Sequence, residues 1–395
     1  MVVGTVLFWG SPLLSQSTLA AIESKSADVI VVRGEVSPER LKQSKDELVR
    51  ELEQTRSFAK LRKVARTEHR STAFLDTLDE RSLASIRTHA EDLSAVSPAW
   101  LLLDDGDGHV SDVPYQADLN PLSPELKSLA EKHALSIVPR LIGVPGEADY
   151  PHRLQALLPS EERYRQTATE VVAFIEREGL PGVLVDLRAS TEQDSERLHS
   201  FVKILSIACR AAHKEVGVVV YLDDLMDLST LAPTVDSVVL VDLFGAPNRS
   251  RVGSLTAFSN KLQSIEQVFP VEKVTVALAS GALQVSGKQS SVRKSLSFSE
   301  AISGARANAI EFDPQSGTSS FRTQNGFTEE TRTWILDAPF SYNAKRIAEE
   351  GAVDHFGIWG IGGEDPGLWE LLSEHPATAE LEHLPPTDPL SSFGQ

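Results

Sequence analysis

Eight short apolar runs recur across the central part of this chain, and a segment with helical periodicity follows most of them. The runs fall at 72–75, 100–103, 136–141, 182–187, 217–222, 237–243, 274–279 and 356–359. The helical segments fall at 79–93, 124–133, 164–178, 195–215, 228–234, 255–268, 341–351 and 366–373. Strands separated by helices are the mark of βα units, because the helix returns the chain so that successive strands run parallel. The runs 183–185, 218–220 and 238–241 are apolar without interruption, as strands covered on both faces are. Eight such units predict an α/β fold, a (β/α)₈ barrel, with functional groups expected at the C-terminal ends of its strands.

The spacing breaks once. Residues 280–337 are too many for a simple loop and carry their own helix-like stretch, 299–308, and an extended stretch, 309–312. They are expected to form a small α+β insertion between the seventh strand and the seventh helix of a barrel spanning 67–375. Residues 1–66 read as a preamble. Its apolar stretch 2–14 is short for a membrane span and has no basic region before it, so it fits a clipped signal-anchor or an ordinary strand. A charged helix follows, opened by Ser37 as cap and Pro38 at its first position. It ends in Arg56, Lys60, Arg62, Lys63, Arg66 and Arg70, a solvated face or a contact for anionic lipid headgroups. Residues 376–395 are Pro-rich and polar and read as a disordered tail or the start of a linker.

Charge and cysteine usage narrow the function classes. With 56 acidic against 38 basic residues in 395, the net charge of −18 argues against nucleic acid as a partner. The single cysteine, Cys209, excludes an internal disulfide. It lies on the helical stripe Leu198, Phe201, Val202, Leu205, Cys209, Ala212, which predicts a buried structural thiol. No His/Cys/Asp cluster has metal-ligand spacing, and no phosphate loop or nucleophile elbow occurs, so no cofactor is expected.

Two segments carry a family resemblance. One is Ala73-Phe74-Leu75, then 78–86 (Leu-Asp-Glu-Arg-Ser-Leu-Ala-Ser-Ile) and Ser97-Pro98-Ala99-Trp100-Leu101. The other runs from Thr333-Trp334-Ile335-Leu336-Asp337 through Tyr342-Asn343 to 357–369 (Gly-Ile-Trp-Gly-Ile-Gly-Gly-Glu-Asp-Pro-Gly-Leu-Trp). Together they resemble the glycoside hydrolase family 18-type barrel of bacterial proteins that also carry polysaccharide deacetylase and family 2 glycosyltransferase domains. The resemblance runs from about Ser71 to about Leu384. It implies a polysaccharide or oligosaccharide ligand of the N-acetylglucosamine type and an extracytoplasmic or membrane-associated setting. Deacetylase and glycosyltransferase proteins of the same system are the implied partners.

The departures from the family pattern matter as much. Its fourth strand carries D-x-x-D-x-D-x-E, the final Glu being the proton donor. Here Pro181 and Leu184 replace the first two acids, Asp186 keeps the third, and Arg188 replaces the donor. A guanidinium cannot protonate a leaving oxygen at any usable pH. The sixth-strand M-x-Y-D is matched by Val241-Asp242-Leu243-Phe244, and the second-strand P-E-W by Pro98-Ala99-Trp100. Loss of polar groups at three strand ends points to lost hydrolysis.

Asp186 and Arg188, two apart on one strand, are expected to share a face and form an ion pair. Further carboxylates near strand ends are Asp104, Asp105, Asp223, Asp224 and Asp242, each open to a capping or solvated role. A displaced acid/base pair drawn from Asp186, Asp223 and Asp242 is the alternative that keeps hydrolysis. Trp359 ends the eighth strand, where the resemblance implies an aromatic platform under a sugar; a core role is the other reading. Arg140, Tyr221 and Arg188 would complete a polar rim. Three functions stay open: a catalytically degenerate barrel that binds a polysaccharide or supports its synthesis, modification or export; an active hydrolase on an unusual glycan; and an interaction module whose mouth is filled.

Overall fold

The computed structural model describes residues 71–76, 79–103, 110–111, 124–143, 153–243, 254–286, 292–306, 308–313, 316–325 and 329–373. The expectations for residues 1–66, for Asp104, Asp105 and Phe244, and for 376–395 lie outside them. Among the described residues no helix is long and apolar enough to cross a membrane.

The barrel strands are Ser71–Leu75, Ala95–Pro98 with Leu101–Leu103, Ser136–Ile137 with Arg140–Gly143, Gly182–Asp186, Glu215–Val220, Ser237–Val241, Val274–Ala279 and His355–Trp359. Each pairs in parallel with the next. The eighth pairs with the first, Ser71 opposite Phe356, and this closes the ring. A two-residue strand, Val110–Ser111, lies antiparallel on the second.

The second and third strands are each split in two, which the apolar pattern did not reveal. Proline is the physical reason in the third: Pro139 has no N–H to donate to the ladder. The ladder is bridged around it, Val138 donating to the Val96 carbonyl and Leu184 to the Pro139 carbonyl. In the second strand the chain folds back after Pro98, Trp100 N–H donating to the Pro98 carbonyl and Ala99 N–H to Leu75.

Two apolar layers follow from the period of two along each strand. Phe74, Leu184, Val219, Val239, Val241, Ala277 and Trp359 fill the barrel interior. Their outward neighbours, among them Val183, Val185, Val218, Val220, Val238 and Leu240, pack under the helices. The helices begin where a short polar side chain can take up a free N–H: Ser160, Thr191, Ser254 and Asp337 cap the helices Glu161–Arg177, Glu192–Ala211, Leu255–Glu266 and Ala338–Glu350. Asp79 and Ser82 form a reciprocal capping box on Glu80–His89. Cys209 is buried, and burial pushes its thiol up to about 12, as expected of a structural cysteine.

Between the seventh strand and helix Ala338–Glu350 stands a second sheet of five antiparallel strands. Its order is Val292–Leu296, Gly281–Ser286, Glu329–Leu336, Thr318–Asn325 and Ile310–Asp313. Helix Phe298–Ala305 covers one face, setting Ala301 and Ala305 against Phe321 and Ile335. This is the α+β insertion that the break in spacing implied.

Closure of the ring requires strands four and five to approach closely at their N-terminal ends. A Cβ on Gly182 would stand 2.2 Å from the Glu215 carbonyl oxygen, a backbone atom that cannot move aside without disturbing the ladder. Gly182→Ala is therefore expected to destabilise the fold by roughly 1–3 kcal/mol, read by urea unfolding. An unchanged midpoint would show that the strands are not packed this tightly.

Candidate functional site

Strands one, two, four and eight converge on one guanidinium, that of Arg140 from strand three. Arg140 is 1 % exposed. It donates from Nη1 to Asp186 Oδ2 at 2.8 Å and from Nη2 to Asp76 Oδ1 at 2.6 Å. The backbone supplies two more acceptors, the Leu75 carbonyl at 2.7 Å and the Ser97 carbonyl at 3.4 Å. Its guanidinium carbon lies over the Trp359 indole, 4.3 Å from the ring centroid, well inside cation–π range. Phe74 stacks on Trp359 at 5.1 Å and Tyr221 meets it edge-on at 5.9 Å. Tyr221 closes the network by donating its hydroxyl to Asp186 Oδ1 at 3.1 Å.

Burial pushes the Asp186 carboxyl above its usual range, and the Arg140 charge and the Tyr221 hydrogen bond pull against that rise. Burial, reinforced by the charge of Asp186, likewise drives the Tyr221 phenol well above its ordinary value. Both oxygens of Asp186 are engaged, so the one acid retained from the family pattern is held rather than poised. Asp76 differs: its side chain is 57 % exposed and faces solvent at the mouth.

Arg188 belongs to a second cluster. It donates from Nη2 to Asp223 Oδ1 at 2.9 Å and from Nε to Asp224 Oδ1 at 3.3 Å, and lies 4.8 Å from the centroid of the Tyr221 ring. Asp224 also accepts the Tyr221 N–H at 2.8 Å, while its carbonyl takes Lys261 Nζ at 2.7 Å. Burial raises the Asp224 carboxyl to about 6 against the pull of Arg188. The expected Asp186–Arg188 pair is thus replaced by Asp186–Arg140 and Arg188–Asp223/Asp224. The cause is local: the fourth strand ends at Asp186, so the alternation that would align residues two apart no longer governs Arg188.

Of the residues singled out from the sequence, the structure gathers Arg140, Asp186, Tyr221 and Trp359 into one network and ties Arg188 and Asp223 beside it. Trp359 is 8 % exposed and contacts both Phe74 and Arg140. Asp242 stands apart, continuing past Val241 the ladder between strands six and seven. Its N–H donates to the Ala277 carbonyl and its Oδ1 accepts the Ala279 N–H at 2.9 Å. Leu243, at the position of the family's Tyr, packs instead between the barrel interior and the insertion. Asp76 was missed, although a carboxylate directly after the first apolar run was there to be found. Asp224 was noted only as a strand-end acid, and nothing in its spacing distinguished it from Asp223.

No family model matches the sequence, and no curated protein matches it. Solved structures do resemble the fold. The spore cortex-lytic enzyme SleL of Bacillus megaterium aligns over 77 % of this chain and 73 % of its own, at 17 % identity and a TM-score of 0.60. A chitinase from Chromobacterium violaceum aligns over 77 % and 98 %, at 15 % identity and a TM-score of 0.63. A catalytic domain of the Ostrinia furnacalis group II chitinase, solved as a mutant in complex with penta-N-acetylchitooctaose, aligns over 74 % and 90 %, at 12 % identity and a TM-score of 0.54. At these identities the likeness is one of fold: a chitinase-like, family 18-type barrel.

Burial gives Asp242 a signature of its own. Its Oδ2 is buried without a partner, and burial raises the carboxyl to about 8. Between the unfolded value near 4 and this folded value, the native state holds a proton that the unfolded state has lost, so stability falls as pH rises. Asp242→Asn keeps the acceptor for Ala279 and removes the titration. The variant should match the wild type near pH 4 and gain on it toward pH 8, by on the order of 1 kcal/mol for each pH unit. Thermal melts across that range check this; a gap that does not change with pH would refute it.

Proposed function

We propose that this barrel is a catalytically degenerate, family 18-like protein that holds a polysaccharide of the N-acetylglucosamine type without cleaving it. In this reading it serves the synthesis, modification or export of that polymer beside deacetylase and glycosyltransferase proteins. The supporting observation is the state of the fourth strand's end. The proton-donor position is a guanidinium bound to Asp223 and Asp224, and the retained Asp186 has both oxygens occupied by Arg140 and Tyr221. Substrate-assisted hydrolysis needs a protonated acid over the leaving oxygen and a carboxylate free to orient the acetamide. Neither is offered here. The exposed Asp76 is the proposed contact, since the side chains of Arg188 and Asp223 are buried in their ion pair, and the chitinase-like fold of the neighbours supports the glycan class.

One observation favours the alternative of an active hydrolase. Asp76 and Asp186 share one guanidinium, one exposed and the other buried with a raised pKa. Two carboxyls with divided environments are what glycosidases use as acid and base.

Incubation with N-acetylglucosamine oligomers, following new reducing ends, separates the two. No turnover is expected, while calorimetry of the same oligomers should show binding. Turnover abolished by Asp186→Asn would establish the hydrolase instead. Arg188→Glu, which restores the family acid, should not restore hydrolysis. It sets a third carboxylate against Asp223 and Asp224, and like charges at that distance destabilise the site. Chitinase activity from that single change would show that the rest of the machinery is intact.

A further inference from the structure

The flat face of a buried tryptophan at a barrel mouth is where the C–H face of a pyranose would rest. In this protein that face is already taken. The Arg140 guanidinium lies on the Trp359 ring at 4.3 Å, and Phe74 stacks on the ring at 5.1 Å. The guanidinium carbon sits over the indole at the distance a sugar ring would take, and the group brings donors at its edge as a sugar brings hydroxyls. Those donors reach Asp186 and Asp76, polar groups that a bound sugar unit would otherwise address. The two main-chain carbonyls of Leu75 and Ser97 then fix the plane from the side.

We propose that Arg140 is an internal occupant of the barrel mouth: its side chain fills the place over Trp359 between Asp76 and Asp186, and so keeps saccharides off the aromatic floor. This rests on the reading that the protein binds a glycan, and it deepens that reading by confining the glycan to the rim. It also makes Arg140 a specificity-determining side chain. With Arg140 buried in place, a ligand meets only the exposed carboxylate of Asp76; without Arg140, a ring could descend onto Trp359.

Titrating the full-length protein with the N-acetylglucosamine pentamer, reading tryptophan fluorescence, tests this. The Trp359 component is the difference between a protein and the same protein carrying Trp359→Phe, and calorimetry runs alongside. In the wild type that component should not move as pentamer is added. In Arg140→Ala/Asp186→Asn, where the neutral amide avoids an orphaned buried carboxylate, it should shift, and pentamer affinity should rise about tenfold or more. A Trp359 component that already shifts in the wild type overturns the proposal, and this outcome needs no variant at position 140 to fold. So does a folded double variant, checked by circular dichroism, whose Trp359 component stays fixed. Absence of any pentamer binding in the wild type, with gain in the double variant, sinks the glycan reading while upholding the role of Arg140. Pentamer hydrolysis would likewise sink only the reading of lost catalysis.

Discussion

One buried guanidinium ties this barrel's mouth together. Arg140 stands on the third strand and bonds to the first, second and fourth, while its face rests on the ring from the eighth. A buried arginine is tolerable only when its donors meet acceptors and its charge meets an opposite charge, because desolvation alone costs several kcal/mol. Two carboxylates and two carbonyls meet that demand. The converse also holds: the largely buried Asp186 carboxylate would lose its counter-charge without Arg140.

This arrangement bears on chemistry. Glycoside hydrolysis asks for carboxyl groups whose protons can move, and three of the carboxyls gathered here are buried acceptors, while Asp76 is exposed. Asp186 serves Arg140 and Tyr221; Asp223 and Asp224 serve Arg188. Tyr221 lies between the two clusters, bonded through its hydroxyl to one and through its backbone N–H to the other. The two arginines therefore act as one system, holding four carboxyl groups, Asp76, Asp186, Asp223 and Asp224, in ion pairs at the strand ends.

The strands were legible because they are short apolar runs, three of them (183–185, 218–220 and 238–241) unbroken and buried on both faces, and the insertion because its length breaks the βα rhythm. The split at Pro139 was also written in the chain, yet an apolar count does not weigh a missing N–H. Of the residues that meet in this network, Asp76 was not singled out in the sequence, and the pairing of the others was illegible. Arg140 is 64 residues from Asp76 and 46 from Asp186, so its partners meet only once the ring closes. The pairing of Asp186 with Arg188 failed for the opposite reason. It relied on local alternation at a place where the strand had already ended.

A double-mutant cycle on Arg140 and Asp186, using Arg140→Gln and Asp186→Asn in urea unfolding, tests the account at its centre. A pair that holds the mouth should show a coupling free energy on the order of 2 kcal/mol or more, the single changes each costing more than their combination implies. Additive effects, with coupling within about 0.5 kcal/mol of zero, would mean that Arg140 and Asp186 merely stand near each other and that the mouth is held by something else.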